Sequence, residues 1–221
     1  MEKLLATLDE DRVRKAVADA ETRTSGEIVP FVVPRSDDYE VAIWRGASAC
    51  AVLGLGLVLL FVQFYEGWDF GWVYTSWGAV LIAVLAGTLG AVATAFIRPL
   101  RRALAGNDLL DRTVHNRAMR AFVEEEVFNT RDRTGILIFV SLLEHRIEVI
   151  GDAGINQRVD PDDWIDVVER IRTCIKNGNL TEGLVDAIGM CGDLLEKSGV
   201  AVRADDENEL SNRVRFPKRN Q

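Results

Sequence analysis

The 221-residue chain reads as an α/β sandwich interrupted by a two-helix transmembrane hairpin. Three observations lead there. Between Gly46 and Ile97 the only charged residues are Glu66 and Asp69, although 27% of the chain is charged. Outside that window, short β-rich runs alternate with amphipathic helical stripes, the mixture of an α/β domain. The one helix and one strand before the window are too short to bury a core, so later segments must complete the domain. A charged, acidic body of net charge −8 and pI about 4.9 therefore carries an apolar insert. This distribution excludes a plain cytosolic enzyme and a polytopic channel. The acidic balance excludes general nucleic-acid binding, which needs a basic face.

At the amino terminus Leu4, Leu5, Leu8, Val13, Ala16, Val17 and Ala20 recur at helical spacing. Thr7-x-x-Glu10 has the form of a capping box, and the helix should stop before Gly26. Nothing in Met1–Asp11 has the apolar length of a signal peptide. Glu27–Val33 (EIVPFVV) predicts a strand, and Pro30, lacking a donor, places it at an edge or a bulge.

Gly46–Tyr65 and Gly78–Ile97 are each long enough, at about 1.5 Å per residue, to cross ~30 Å of hydrocarbon. The second run is broken only by Thr88 and Thr94, whose hydroxyls can bond back to the helix. Buried core helices would retain a polar stripe, and neither run has one. The short connection makes an antiparallel hairpin, flanked by Phe64, Tyr65, Trp68, Phe70, Trp72, Tyr74 and Trp77, with Trp44 at the opposite end. Such rings favour the headgroup level. Arg35 and Arg45 precede the first span, and Arg98, Arg101, Arg102 and Arg112 follow the second, while the connection has no Lys or Arg. The positive-inside rule then puts both termini in the cytoplasm of a two-span cell-membrane protein. Ala79, Ala83, Gly87, Ala91 and Ala95, against Gly46, Cys50 and Gly54, predict a small-residue seam. It closes the hairpin on itself or, through Ala83, Gly87 and Ala91, joins a second copy.

After the hairpin, Leu110, Val114, Ala118, Ala121, Phe122 and Glu125 predict a helix from about Asp108 to Phe128, with Glu124-Glu125-Glu126 as a solvated face. Thr134–Leu143 is apolar on both faces, as in a central strand, and Arg146–Ile150 alternates as its hairpin partner. Asp160-Pro161 opens a helix to Lys176 with Gly178 as its stop; another runs from Thr181 to Lys197 before Gly199. Expected organisation is a first part of the domain over 1–43, the hairpin over 44–97 (spans about 46–65 and 78–97), a second part over 98–203, and a polar, loosely ordered tail over 204–221.

The order of these elements, with Thr24-Ser25-Gly26-Glu27-Ile28-Val29, Arg133-Thr134-Gly135-Ile136-Leu137-Ile138 and Arg146-Ile147-Glu148-Val149 followed by Gly151-Asp152-Ala153-Gly154-Ile155, resembles the TPM domain family. Named members include thylakoid-lumen proteins tied to photosystem repair. The resemblance covers about Leu4–Val33 and Asp108–Ser198 and implies an α/β/α sandwich. It also implies acid phosphatase activity, divalent metal binding or maintenance of membrane complexes. Many members are exported and carry a carboxy-terminal anchor; here the anchor lies inside the domain, and the charge bias points to the cytoplasm.

For chemistry, Gly151-Asp152-Ala153-Gly154 is a glycine-bracketed loop at a strand end, followed by Asp160, Asp162 and Asp163. These carboxylates are candidate oxygen ligands for Ca²⁺ or Mg²⁺. The competing reading is helix capping, with Asp160 as cap, Pro161 at the first position and Asp162 and Asp163 in the first turn. His115 and His145 have no Cys or His at ligand spacing, and no glycine-rich phosphate loop with a following Lys is present. Cys50, Cys174 and Cys191 read as small hydrophobes without metal or disulfide spacing. Two functions follow from this. One is a membrane-tethered interaction or maintenance module whose partners are the bilayer and integral membrane proteins. The other is a divalent-metal-dependent acid-phosphatase-like hydrolase using Asp152 and Asp160–Asp163.

Overall fold

The computed structural model describes residues 2–64, 71, 75–202, 205 and 208–217, without the side chains of residues 2, 3 and 161. The chain divides into an α/β unit (1–36 and 111–221) and a helical unit (37–110). Each is described by itself.

In the α/β unit, β1 (Glu27–Val33), β2 (Gly135–Ser141) and β3 (Arg146–Gly151) form a sheet in the order β1-β2-β3. β1 runs parallel to β2 with Phe31 opposite Phe139; β3 returns antiparallel with Ile138 opposite Val149. The two-sided apolar run at Thr134–Leu143 is thus the central strand, buried along its whole length. Period-2 alternation sends its side chains to two cores. Ile28, Val32, Ile136, Ile138 and Val140 pack with Val13 and Val17 of α2 (Glu10–Glu21), Ile171 of α8 (Ile165–Lys176) and Leu184 and Ile188 of α9 (Leu180–Lys197). Val29, Phe31, Val33, Leu137 and Phe139 pack on the other face with Val114, Ala118 and Ala121 of α6 (Asn107–Glu124). The result is an α/β/α sandwich, with Phe31 and Phe139 stacked at 5.7 Å in the second core.

Several local expectations are revised. The amino-terminal stripe is two helices, α1 (Glu2–Ala6) and α2, because Asp9 rather than Thr7 is the cap. The Asp9 carboxylate accepts from Arg12 N at 3.0 Å, while Thr7 Oγ1 donates back to Leu4 O. α6 stops at Glu124, which is exposed, and Glu126 has φ 54°, so the acidic run leaves the helix after its first residue and continues as a turn. Glu125 is only 14% exposed and lies 3.6 Å from Arg215.

The carboxy-terminal stretch also differs from a loose tail. Residues 208–217 lie along β1, with Arg215 N donating to Pro30 O (2.8 Å) and Val32 N to Arg215 O (3.0 Å). Leu210 joins one core and Val214 the other. N–H and C=O of one strand residue point the same way, so the donor missing at Pro30 is on the outer edge and costs the β1–β2 ladder nothing. Both places where the chain leaves the unit are tied to the β2–β3 turn. Ser36 N donates to the buried Glu144 carboxylate (2.8 Å), and Asp111 pairs with Arg146.

In the helical unit, α3 (Glu40–Phe64) and α4 (Ser76–Phe96) each contain an 18-residue stretch of mean hydropathy 2.2 and are long and apolar enough to cross a membrane. Their large side chains point outward, with Leu53, Leu89 and Phe96 66%, 70% and 82% exposed. Thr88 and Thr94 donate to Val84 O and Gly90 O, each at 2.8 Å, as expected of hydroxyls in an apolar helix. The seam uses the expected Gly46, Cys50 and Gly54 of α3. On α4 it runs through Ala86, Gly87, Gly90 and Thr94, whereas the expected stripe ran through Ala79, Ala83, Gly87, Ala91 and Ala95. A Cβ on Gly46 would lie 2.1 Å from Thr94 Oγ1, and one on Gly90 2.5 Å from Gly46 O. The helices meet backbone to backbone, as small residues permit. α5 (Arg98–Ala105) follows at once. Of the aromatic flanks, Tyr65, Trp68, Phe70, Trp72 and Tyr74 lie outside the described residues.

Candidate functional site

The glycine-bracketed loop becomes a corner where the start of β2 meets the end of β3. Asp152 N donates to Gly135 O at 2.9 Å, and Gly154 N to Arg133 O at 2.9 Å. A Cβ on Gly154 would sit 2.3 Å from Asp132 O, and one on Gly135 1.9 Å from Val127 O, so close backbone approach explains both glycines. Asp152 is 5% exposed and caps α7 (Ala153–Asn156), a helix the sequence reading does not contain, by accepting from Ala153 N at 2.7 Å. Its two oxygens also receive Arg133, Nε at 2.5 Å and Nη2 at 2.9 Å. Arg133, held at φ 57°, lies 5.8 Å over the Phe128 ring.

Asp160, Asp162 and Asp163 are exposed around a 3-10 turn (Pro161–Trp164). Asp163 accepts from Asp160 N through its side chain and donates to Asp160 O through its backbone, both at 3.1 Å. The fold thus brings Asp160 and Asp163 together as a cap. Among the described residues no three His, Cys, Asp or Glu side chains converge on one point. A divalent ion at Asp152 would compete with a guanidinium already held on both oxygens, so this donor set does not fit the metal as it stands.

Two concavities of the α/β unit hold titratable groups. One, of about 360 Å³, is lined by His115, Met119, Glu148, Asn156 and Trp164 among others; His115 Nδ1 lies 3.6 Å from Glu148 Oε2. The other, of about 420 Å³, is lined by Glu21, Thr22, Thr24, Glu27, Asn208 and Asn212 with apolar neighbours. Here two carboxyl groups face and hydrogen-bond each other. Burial, and then the charge of Glu27, push the Glu21 carboxyl up to about 8. Glu21 accepts from Ile28 N (3.2 Å) and Asn212 Nδ2 (2.6 Å), and Glu27 from Glu209 N (3.0 Å) and Leu210 N (3.2 Å). Near neutral pH Glu21 therefore keeps its proton, and the two side chains together pin the tail segment. The sequence reading missed it. Its one local signal was a glutamate opening an otherwise apolar strand. Cys174 and Cys191 are buried as expected of small hydrophobes, and burial pushes the Cys191 thiol up to about 12.

Comparison with known proteins yields two matches. The model of the TPM domain matches residues 102–194. Among solved structures, the BA42 protein of the psychrophilic bacterium Bizionia argentinensis, determined by NMR, is similar with a TM-score of 0.55. The match has 22% identity and covers 95% of each chain, a likeness of fold. No curated protein matches.

Proposed function

We propose that this chain, which carries a TPM domain, is an integral membrane protein of the cell membrane. In this reading its hairpin holds the α/β unit at the cytoplasmic face as an interaction or maintenance module for membrane complexes. One observation carries the reading: two helices of membrane-spanning length, with outward apolar side chains, lie in the chain between the paired strands β1 and β2. An anchor inserted there cannot be shed without cutting the domain. The cytoplasmic assignment is supported by the arginines that flank α3 and α4 and by their absence from the connection. An impermeant thiol reagent added outside intact cells should label a cysteine placed at Asp69 and miss cysteines placed at Lys3 or Gln221. Labelling of both termini from outside overturns the orientation. Crosslinking in intact membranes should recover integral membrane partners.

The phosphatase alternative draws on the resemblance alone. The engagement of Asp152 by Arg133 weighs against it, as does the mutual cap of Asp160 and Asp163. Steady phosphate release by pure full-length protein with Mg²⁺ or Ca²⁺, abolished by substituting one of these carboxylates, would displace the module reading.

A further inference from the structure

We propose that α5 and the start of α3 form a binding site for the phosphate of anionic phospholipid headgroups. The proposal rests on the reading that α3 and α4 span a membrane. Directly after α4, the sequence Arg98-Pro99-Leu100-Arg101-Arg102-Ala103-Leu104-Ala105 forms a helix. Arg98, Arg101 and Arg102 recur at i, i+3 and i+4 and so share one face; Leu100, Ala103 and Leu104 share another. This is the pattern of a helix lying at a membrane surface.

Two guanidinium groups fix the arrangement. Arg101 donates through Nε to Thr94 O (3.3 Å) and through Nη2 to Ala95 O, and so caps the last turn of α4. Arg45, on α3, donates through Nη1 to Leu104 O (2.8 Å) and Ala105 O (2.9 Å) at the end of α5. Cations at helix carboxy termini are favoured by the dipole, so these two are held in place. Among the described residues the side chains of Arg98 and Arg102 make no hydrogen bond or ion pair, and none of the four arginines meets a carboxylate. Scarcity of acid does not explain this, since the chain carries a net charge of −8. In the α/β unit Arg12, Arg23, Arg133, Arg146 and Arg170 each pair with Asp or Glu.

The uncompensated charge lies beside the end of a membrane-length helix. Trp44, next to Arg45, is 72% exposed and Phe96, next to Ile97, 82% exposed, which suits side chains at the headgroup level. A guanidinium matches a phosphate with paired N–H donors, and the phosphodiester stays anionic at any physiological pH. Each arginine near an anionic surface strengthens association about fivefold.

The test reconstitutes the full chain into phosphatidylcholine vesicles with a trace of spin-labelled phosphatidylglycerol or spin-labelled phosphatidylcholine, and reads the motionally restricted fraction of each label. Flotation of the same samples reports integration separately. Expected is integration throughout, a severalfold preference for the phosphatidylglycerol label, loss of most of it in Arg98→Gln/Arg102→Gln, and retention in Arg98→Lys/Arg102→Lys. Raising the salt should weaken the preference. Failure to float breaks the membrane reading itself. Floating protein with equal restriction of both labels, or with the preference intact in the Gln variant, overturns this proposal. So does displacement of the labelled lipid by millimolar inorganic phosphate, which would mark a free-phosphate site.

Discussion

The two units treat the same residue types in opposite ways. In the α/β unit, Ile136, Ile138, Leu137 and Phe139 are fully buried, and arginines such as Arg133 and Arg170 sit on carboxylates. In the helical unit, Leu53, Leu89 and Phe96 face outward, while among the described residues Arg98 and Arg102 meet no acid. Under the membrane proposal each arrangement suits a different solvent. Water rewards burial of apolar surface, and at ~25 cal/mol per Å² the outward face of α3 and α4 would be costly there. A bilayer would remove that cost, and the hairpin closes on small residues and backbone contact instead of a hydrophobic core.

The largest expected effect comes from removing one member of the comparison. Replacing residues 37–110 by a Gly/Ser linker should give a chain that is soluble in buffer without detergent and melts cooperatively. Both chain exits of the α/β unit are tied to one turn, through Ser36–Glu144 and Asp111–Arg146, and closure entropy grows only slowly with linker length. If the product is insoluble or melts without cooperativity, the α/β unit depends on the insert.

Substitution of equivalent side chains in the two units sharpens the contrast. Ile138→Ala should destabilise by about 2–5 kcal/mol in denaturant titration of the detergent-solubilised chain. Leu89→Ala should stay within about 0.5 kcal/mol, because that side chain is 70% exposed and loses few protein contacts. Comparable losses at both sites would mean that α4 is packed against protein on its outer face.

A smaller effect is expected at the glycine corner. Asp152→Ala removes a cap and both acceptors of Arg133, at about 1–3 kcal/mol. The loss should be the same with EDTA or with Mg²⁺ present. Stabilisation of the wild type, and not the variant, by Mg²⁺ would return Asp152 to the metal reading.

The subtlest prediction concerns Glu21. Its pKa is raised from 4.5 to about 8, so the folded chain keeps a proton that the unfolded chain has already lost. Stability from this group is therefore full below about pH 4.5 and falls as the pH rises toward 8. Melting of the wild type should be lower at pH 9 than at pH 5, and Glu21→Gln should shrink that difference. Amide exchange at Glu209 and Leu210, which Glu27 holds, should accelerate with pH in the wild type and less in the variant. An unchanged pH difference in Glu21→Gln would place the titration elsewhere.

Much of the fold was legible because periodicity is local. The strand at Glu27–Val33, the two-sided burial of Gly135–Ser141, the Gly178 and Gly199 stops and the back-bonded Thr88 and Thr94 each follow from a few neighbouring residues. The window from Gly46 to Ile97, with only two charges, located the two apolar helices, although α3 starts earlier, at Glu40.

The pairings were decided by tertiary structure. Asp152 looks like a ligand in sequence, and becomes an ion-pair partner only because Arg133, nineteen residues earlier, is folded onto it. Glu21 and Glu27 meet because a helix end and a strand start turn back on each other, and the raised pKa of Glu21 depends first on the burial this creates. The segment 208–217 is polar enough to read as loose, yet Leu210 and Val214 reach two different cores once β1 offers an open edge. The seam of α4 passes through Gly90 and Thr94 because helix rotation is set by the partner helix. A sequence pattern specifies what a residue prefers; which group satisfies that preference is settled when distant segments compete for the same space.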